Sequence, residues 1–261
     1  MKNNKYKILV LSDLTKTTKN TLKSSASLAK MIGGTVDFFC VKKPTEIVEK
    51  ESQLSAMRTI NKEYFAIDKA IEKIVKPISD EFGVTITHNH TFGNVKNEIG
   101  DYISTNNPDV IVIGKRKSKI FGILGDNITD FVLKKFNGII VIASDDNTVD
   151  ISKHLSLGML NEPLTDKNKA FTEKFISLSS NPPKVFKIHD KTNLITESNS
   201  TILTETQEYI FDKGDNIIKN ISNYLSKSNV NLLFVDREKE SLKPNIKDVI
   251  NNIDCTLILT N

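Results

Sequence analysis

Apolar and polar positions follow two periods along the chain. Short runs rich in β-branched residues, Lys7–Ser12, Thr35–Val41, Asp109–Ile113 and Ile139–Ala143, read as buried strands. Between them the spacing is helical. Leu22, Ala26 and Ala29 share one face of a helix ending near Met31, with Thr15, Thr17 and Thr18 offering N-cap oxygens and Gly33-Gly34 as its stop. Leu54, Met57, Ile60, Tyr64, Ile67, Ile71, Ile74 and Ile78 recur at steps of three and four. They predict a long helix over 53–82, which Pro77 is expected to kink or end. Val84, Ile86 and His88 alternate as a third strand. Val95, Ile99 and Ile103 mark another helix, stopped at Asn106-Asn107-Pro108. A further helical pattern runs to Phe136 and stops at Asn137-Gly138.

The predicted order through Ala143 is β-α-β-α-β-α-β-α-β, the alternation of a doubly wound parallel sheet. Asp145–Ser152 is polar and reads as a linker. Beyond it the chain echoes itself. Tyr102-Ile103-Ser104 with Val110–Ile113 is matched by Tyr224-Leu225-Ser226 with Leu232–Val235, and Ile139–Ile142 by Thr256–Leu259. The second half also offers strands near Leu155–Leu160 and at Lys184–His189, with a helix over Lys167–Ser179 between them. It has no counterpart of the long helix, its segment Lys191–Thr204 being short, polar and irregular. Asp236 stands where Gly114 stands in the first half. The expected architecture is α/β: two tandem doubly wound domains, 1–147 and 152–261, with five-stranded mainly parallel sheets, the second copy degenerate.

The candidate chemistry gathers between Pro108 and Ser144. A strand ends at Gly114, a basic loop from Lys115 to Asp126 follows, and a helix begins. Loops at the carboxyl end of a strand and the amino end of the next helix are where such sheets bind ligands.

With KILVLSD and its Asp13, FFCVKKP, FGNVKNEIGDYI and IVIGKR…GDNITDFVLKKFNGIIVIAS on the page, the chain resembles a tandem universal stress protein. The resemblance covers the first half end to end and the second half loosely. It implies Rossmann-like, adenine nucleotide α-hydrolase-like domains. Many members of that family bind ATP or AMP; others bind none and act as dimeric stress proteins. In the nucleotide-binding members an acidic residue after the first strand meets the ribose and adenine side, here Asp13. The backbone at the end of the second strand meets adenine, here Val41. Phosphates sit in a loop of the form Gly-x2-Gly-x9-Gly-Ser/Thr. Gly114 matches its first glycine, Lys117 stands at the second, and Gly125 matches the third in a loop two residues short, with Asp126 in place of the hydroxyl.

Those departures have physical weight. Glycine lets backbone N–H groups approach phosphate closely, and Lys117 does not. Asp126 beside phosphate repels it by roughly 1 kcal/mol when solvated. Asp126 or Asn127 is better read as an N-cap. Lys115, Arg116, Lys117 and Lys119 pull the other way, since a basic cluster attracts an anion without that loop geometry. The nucleotide site residues the resemblance implies are thus Asp13, Val41, Gly114, Lys115, Arg116, Gly125, Asp126 and Asn127. ATP, with magnesium, or AMP would be the ligand, and unliganded is the leading expectation.

Other chemistry finds little footing. His88-x-His90 puts two imidazoles on one strand face, but the sequence shows no close acidic or cysteine partner for a metal. The turn Asp212–Asp215 reads as solvated. Cys40 and Cys255 form no disulfide framework. No nucleophile elbow and no general base for hydrolysis stand out, so no catalytic residue is assigned. The net charge of +4 comes from scattered lysines, which does not point to nucleic acid. No window approaches a membrane span, and the expected home is the cytoplasm.

Two readings follow. The first is a non-enzymatic stress-response protein. Single-domain members of the resembled family pair through the last strand, so a tandem chain can join Ile139–Ile142 to Thr256–Leu259 as an internal pseudo-dimer. It would offer a surface to an unidentified protein partner and can pair again as a homodimer. The second is an adenine-nucleotide binder or slow ATPase with one site in the first domain.

Overall fold

The structure, a computed structural model, describes residues 6–44, 53–115, 125–146, 148–149, 155–160, 168–189, 206–237 and 246–260, with backbone alone at 53, 54, 56 and 125–127. The chain divides into two compact units, Met1–Gly138 and Ile139–Asn261.

The first unit holds β1 (Tyr6–Ser12), α1 (Thr18–Ile32), β2 (Gly34–Lys42), α2 (Gln53–Phe82), β3 (Ile86–Phe92), α3 (Val95–Asn106), β4 (Val110–Gly114) and α4 (Gly125–Lys135). Its strands lie in the order β3-β2-β1-β4, paired in parallel. Ile8–Leu11 and Val110–Ile113 are buried on both faces, which is why they read as unbroken apolar runs. Helix α1 stops at Gly33, whose φ of 72° is left-handed and whose N–H donates to the Ala29 carbonyl. Thr17 occupies the N-cap, but no threonine side chain caps the helix. The Thr17 hydroxyl lies 3.1 Å from that of Thr15 instead.

Helix α2 does not end at Pro77; it continues to Phe82. Proline removes one N–H and with it the bond to the Lys73 carbonyl. Both residues are exposed, so water can take that carbonyl, while Ile71, Val75 and Ile78 stay buried on the opposite stripe. The stripe is buried only in the C-terminal half. On it Met57 is 64% exposed and Tyr64 42%. Strand β3 starts two residues later than its apolar alternation predicts and runs on through His88 and His90 to Phe92.

The second unit holds β5 (Ile139–Ala143), β6 (Leu157–Leu160), α5 (Lys169–Leu178), β7 (Lys184–His189), β8 (Gln207–Asp212), α6 (Ile217–Lys227), β9 (Leu232–Asp236), α7 (Ile246–Asn252) and β10 (Thr256–Thr260). The strand order is β5-β10-β9-β6-β7-β8. Its segment β8-β7-β6-β9 repeats the order β3-β2-β1-β4 of the first unit, again in parallel. The repeat seen in the sequence is therefore a repeat of topology. Strand β5 pairs antiparallel with β10: Ile142 faces Leu257, Val141 faces Ile258 and Ile140 faces Leu259. The Ser144 N–H adds a bond of 3.1 Å to the Thr256 hydroxyl. Both strands are buried along their whole length. Segment 191–204 lies outside the described residues.

Candidate functional site

In the first unit the chain steps outward from β1 to β2 and β3, then returns to β4 on the other side of β1. The crevice beyond the carboxyl ends of β1 and β4 is thus the topological switch point, where open α/β sheets bind ligands. Asp13 follows β1, Val41 stands one residue before the end of β2, and Gly114 ends β4 with Lys115 after it. The fold brings these four to one end of neighbouring strands. Asp13, Gly114 and Lys115 are half-buried and Val41 is buried.

Each is positioned by local bonds. Lys42, the last residue of β2, donates from Nζ to the Asp13 main-chain carbonyl at 2.9 Å, tying the ends of β1 and β2 together. The Lys42 carbonyl accepts from the Gly93 N–H at 3.0 Å, which carries the tie on to β3. The Ser12 and Thr18 hydroxyls lie 2.8 Å apart and draw the start of α1 onto the end of β1. Between them Leu14 turns the chain with φ at 62°, a left-handed conformation that costs a leucine roughly 1–2 kcal/mol. The sequence gives no sign of it, because nothing in the leucine itself favours that geometry.

Gly114 owes its identity to packing. A Cβ there would run into the Thr21 hydroxyl and lie 3.5 Å from the Thr21 Cβ. The Thr21 hydroxyl donates to the Thr17 carbonyl at 3.2 Å and is held in place. The glycine therefore lets α1 close on β4.

The rest of the expected loop is seen only in part. Arg116, Lys117 and Lys119 lie outside the described residues. Gly125 is the first residue of α4, so Asp126 and Asn127 are its second and third, not the N-cap expected of them. There an aspartate still lies in the first turn, where negative charge suits the helix dipole.

A second constellation lies on the outer face of β3. The sequence offers His88 and His90 no acidic neighbour, but α2 supplies one. His88 donates from Nε2 to Asp68 Oδ1 at 3.1 Å, and His90 Nδ1 stands 3.8 Å from the same oxygen. His90 Nε2 lies 3.1 Å from the Tyr64 carbonyl, which can only accept, so this nitrogen carries the proton. The Tyr64 ring covers the imidazole at a centroid distance of 4.1 Å. Burial pushes the His90 pKa below the ordinary histidine value, opposed by Asp68 and the Tyr64 carbonyl and aided by His88. Asp68 lies twenty residues from His88 on another element, so only the α2 to β3 packing brings them together. Among the described residues no three His, Cys, Asp or Glu side chains form a group that could hold a metal ion. Asp212 and Asp215 are exposed. Cys40 and Cys255 are buried and form no disulfide. No helix among the described residues is long and apolar enough to cross a membrane.

Comparison with known proteins adds the lineage. The family described as "Universal stress protein family" matches residues 6–142. No curated protein matches the chain. Among solved structures it is similar to a universal stress protein from Archaeoglobus fulgidus DSM 4304, with a TM-score of 0.68 and 12% identity over 98% of this chain and 96% of that one. It is also similar to a functionally unknown protein from Pseudomonas aeruginosa PAO1, with a TM-score of 0.56 and 9% identity over 98% and 92%. A universal stress protein in complex with cAMP matches 54% of this chain and 97% of its own, with a TM-score of 0.39 and 11% identity. At such identities the likeness speaks to fold.

Proposed function

The chain belongs to the universal stress protein family, and we propose that it serves the stress response by binding rather than by catalysis, with its two α/β repeats joined through their last strands as an internal pseudo-dimer. The antiparallel pairing of β5 with β10 carries this reading. In a family whose single-domain members pair through the last strand, it gives the tandem chain the same junction within itself. The second repeat then acts as a structural half, and the surface of the pair is offered to a protein partner. The packing of Gly114 on Thr21 accounts for that glycine without a phosphate.

A second reading rests on one observation: Asp13, Val41, Gly114 and Lys115 converge on the switch-point crevice. In it, the first unit binds an adenine nucleotide there, with magnesium if the ligand is ATP. A thermal-shift titration with ATP, ADP and AMP, with and without magnesium, followed by a phosphate-release assay, separates the two. A ligand at a hundredfold excess over its Kd stabilises by about 2.7 kcal/mol. The binding-without-catalysis reading expects no phosphate release and no saturable shift. A saturable shift lost in Asp13→Ala would move the function to the crevice, and release of phosphate would overturn the non-enzymatic reading outright.

A further inference from the structure

We propose that His90 is an acid-sensitive latch: while its imidazole is neutral it pins the middle of α2 to the edge strand β3, and when it takes up a proton the helix segment before Asp68 lets go. The geometry fixes the neutral tautomer. The Nε2–H is spent on the Tyr64 carbonyl, so the lone pair of Nδ1 faces Asp68 at 3.8 Å. A second proton can only go on Nδ1.

The site is poorly built to receive that charge. The His90 side chain is 2% exposed. The groups facing it are few. From α2 come the Tyr64 carbonyl and the Asp68 carboxylate. From its own strand comes His88, a like charge when protonated, with the Phe92 ring edge-on. From β2 comes Cys40, its buried register neighbour. Asp68 is the one anion among these, and it already accepts from His88. An imidazolium here is desolvated beside a carboxylate that is shared. Moving α2 away restores its water.

The segment that would move is weakly held. Met57 and Phe65 are largely exposed and Tyr64 is partly so, and the stripe of α2 becomes buried only from Ile67 onward. Few buried apolar contacts mark the parts of a fold that open first. The linkage has a definite sign. A histidine whose folded pKa is lowered contributes stability that is present above the unfolded value, about 6.5. That stability is lost as pH falls toward and through the folded value. Opening would bare Tyr64, Ile67 and the outer face of β3, which gives a proton signal a structural readout.

The test is hydrogen exchange on the full chain in EDTA at about pH 7.5 and about pH 5.5, a span that brackets an ordinary histidine. Rates are corrected for intrinsic pH dependence and followed in peptides from α2 and, as an internal reference, α1. The latch expects the α2 segment before Asp68 to lose protection at the acid pH while α1 keeps it. In His90→Gln the amide can still reach the Tyr64 carbonyl but takes up no proton, so the acid loss disappears. Unchanged α2 protection in the wild-type chain, or the same acid loss in His90→Gln, would overturn the proposal. Should that variant not fold, imidazole nitrogen NMR of the wild-type chain decides. An Nε2–H tautomer at about pH 7.5 that becomes imidazolium over the pH range in which α2 loses protection upholds the latch, and an imidazolium or an Nδ1–H tautomer at about pH 7.5, or protonation that leaves α2 protection unchanged, overturns it.

Discussion

Gly114 and Thr21 meet where β4 ends against α1, so closely that the glycine has no room for a Cβ beside the threonine hydroxyl. Adding a methyl there overpacks a stiff, hydrogen-bonded neighbour. Gly114→Ala is expected to cost about 1–3 kcal/mol. Thr21→Ala in the same chain should recover part of that loss, because it removes the atom in the way. A double-mutant cycle read by urea denaturation measures the coupling. Additive effects would mean that the glycine is required for something other than this contact.

The two halves of α2 differ in what they bury. Ile71 is fully buried and Met57 is 64% exposed. Ile71→Ala should cost about 2–5 kcal/mol, through lost transfer energy and a cavity. Met57→Ala should stay within about 0.5 kcal/mol. Chemical denaturation of both variants checks the contrast, and a large loss at Met57 would show that its surface is covered.

Pro77 sits inside α2, exposed. Replacing it with alanine returns the missing N–H to the helix. Part of the gain is offset, because the unfolded chain also regains freedom. Pro77→Ala should therefore stabilise the protein by about 1–2 kcal/mol. A rise in the denaturation midpoint at constant m-value is the expected reading; a fall would mean that the helix depends on a bend there.

Tyr102 stacks on Phe39 with centroids 3.8 Å apart and donates to Asp37 at 2.8 Å. Burial and the Asp37 carboxylate push its phenol pKa well above the ordinary range. A raised folded pKa contributes stability that is complete below the unfolded value. As pH climbs past about 10 the unfolded phenol ionises while the folded one does not, and that stability is lost. Tyr102→Phe should cost about 1 kcal/mol at neutral pH through the lost hydrogen bond. Its alkaline stability profile should be flatter than that of the wild-type chain. Equal slopes would place the phenol in water.

Much of the fold was legible in the sequence, for definite reasons. Strands buried on both faces, such as Val110–Ile113 and Ile139–Ala143, need continuous apolar residues and so announce themselves. Strand β7, Lys184–His189, falls on its predicted bounds because Pro182-Pro183 marks its start. Strand β8 was not legible. Its QEYIFD is half-exposed at the end of the strand order and mixes acidic residues with aromatics, so neither period stands out. Pro77 does not end the helix because the buried stripe of Ile71, Val75 and Ile78 continues past it and holds α2 on the sheet despite the lost bond. At the candidate site, Asp13, Val41, Gly114 and Lys115 were named from the family resemblance, and the fold sets all four at the carboxyl ends of neighbouring strands. The Lys42 tie to Asp13, the strained Leu14 and the Asp68 carboxylate between two histidines all depend on tertiary neighbours. No local spacing encodes them.

The proposed joining of the two repeats through their last strands can be tested by one covalent bond. Val141 and Ile258 face each other across β5 and β10. Opposite residues of an antiparallel pair lie about 4.5–5.5 Å apart at Cα, within disulfide range. Val141→Cys with Ile258→Cys, oxidised and run under non-reducing conditions, should give one crosslinked species at the mass of a single chain. Peptide mapping should join the two strands within it. A disulfide only between chains, or none under conditions that leave the protein folded, would contradict the internal pairing.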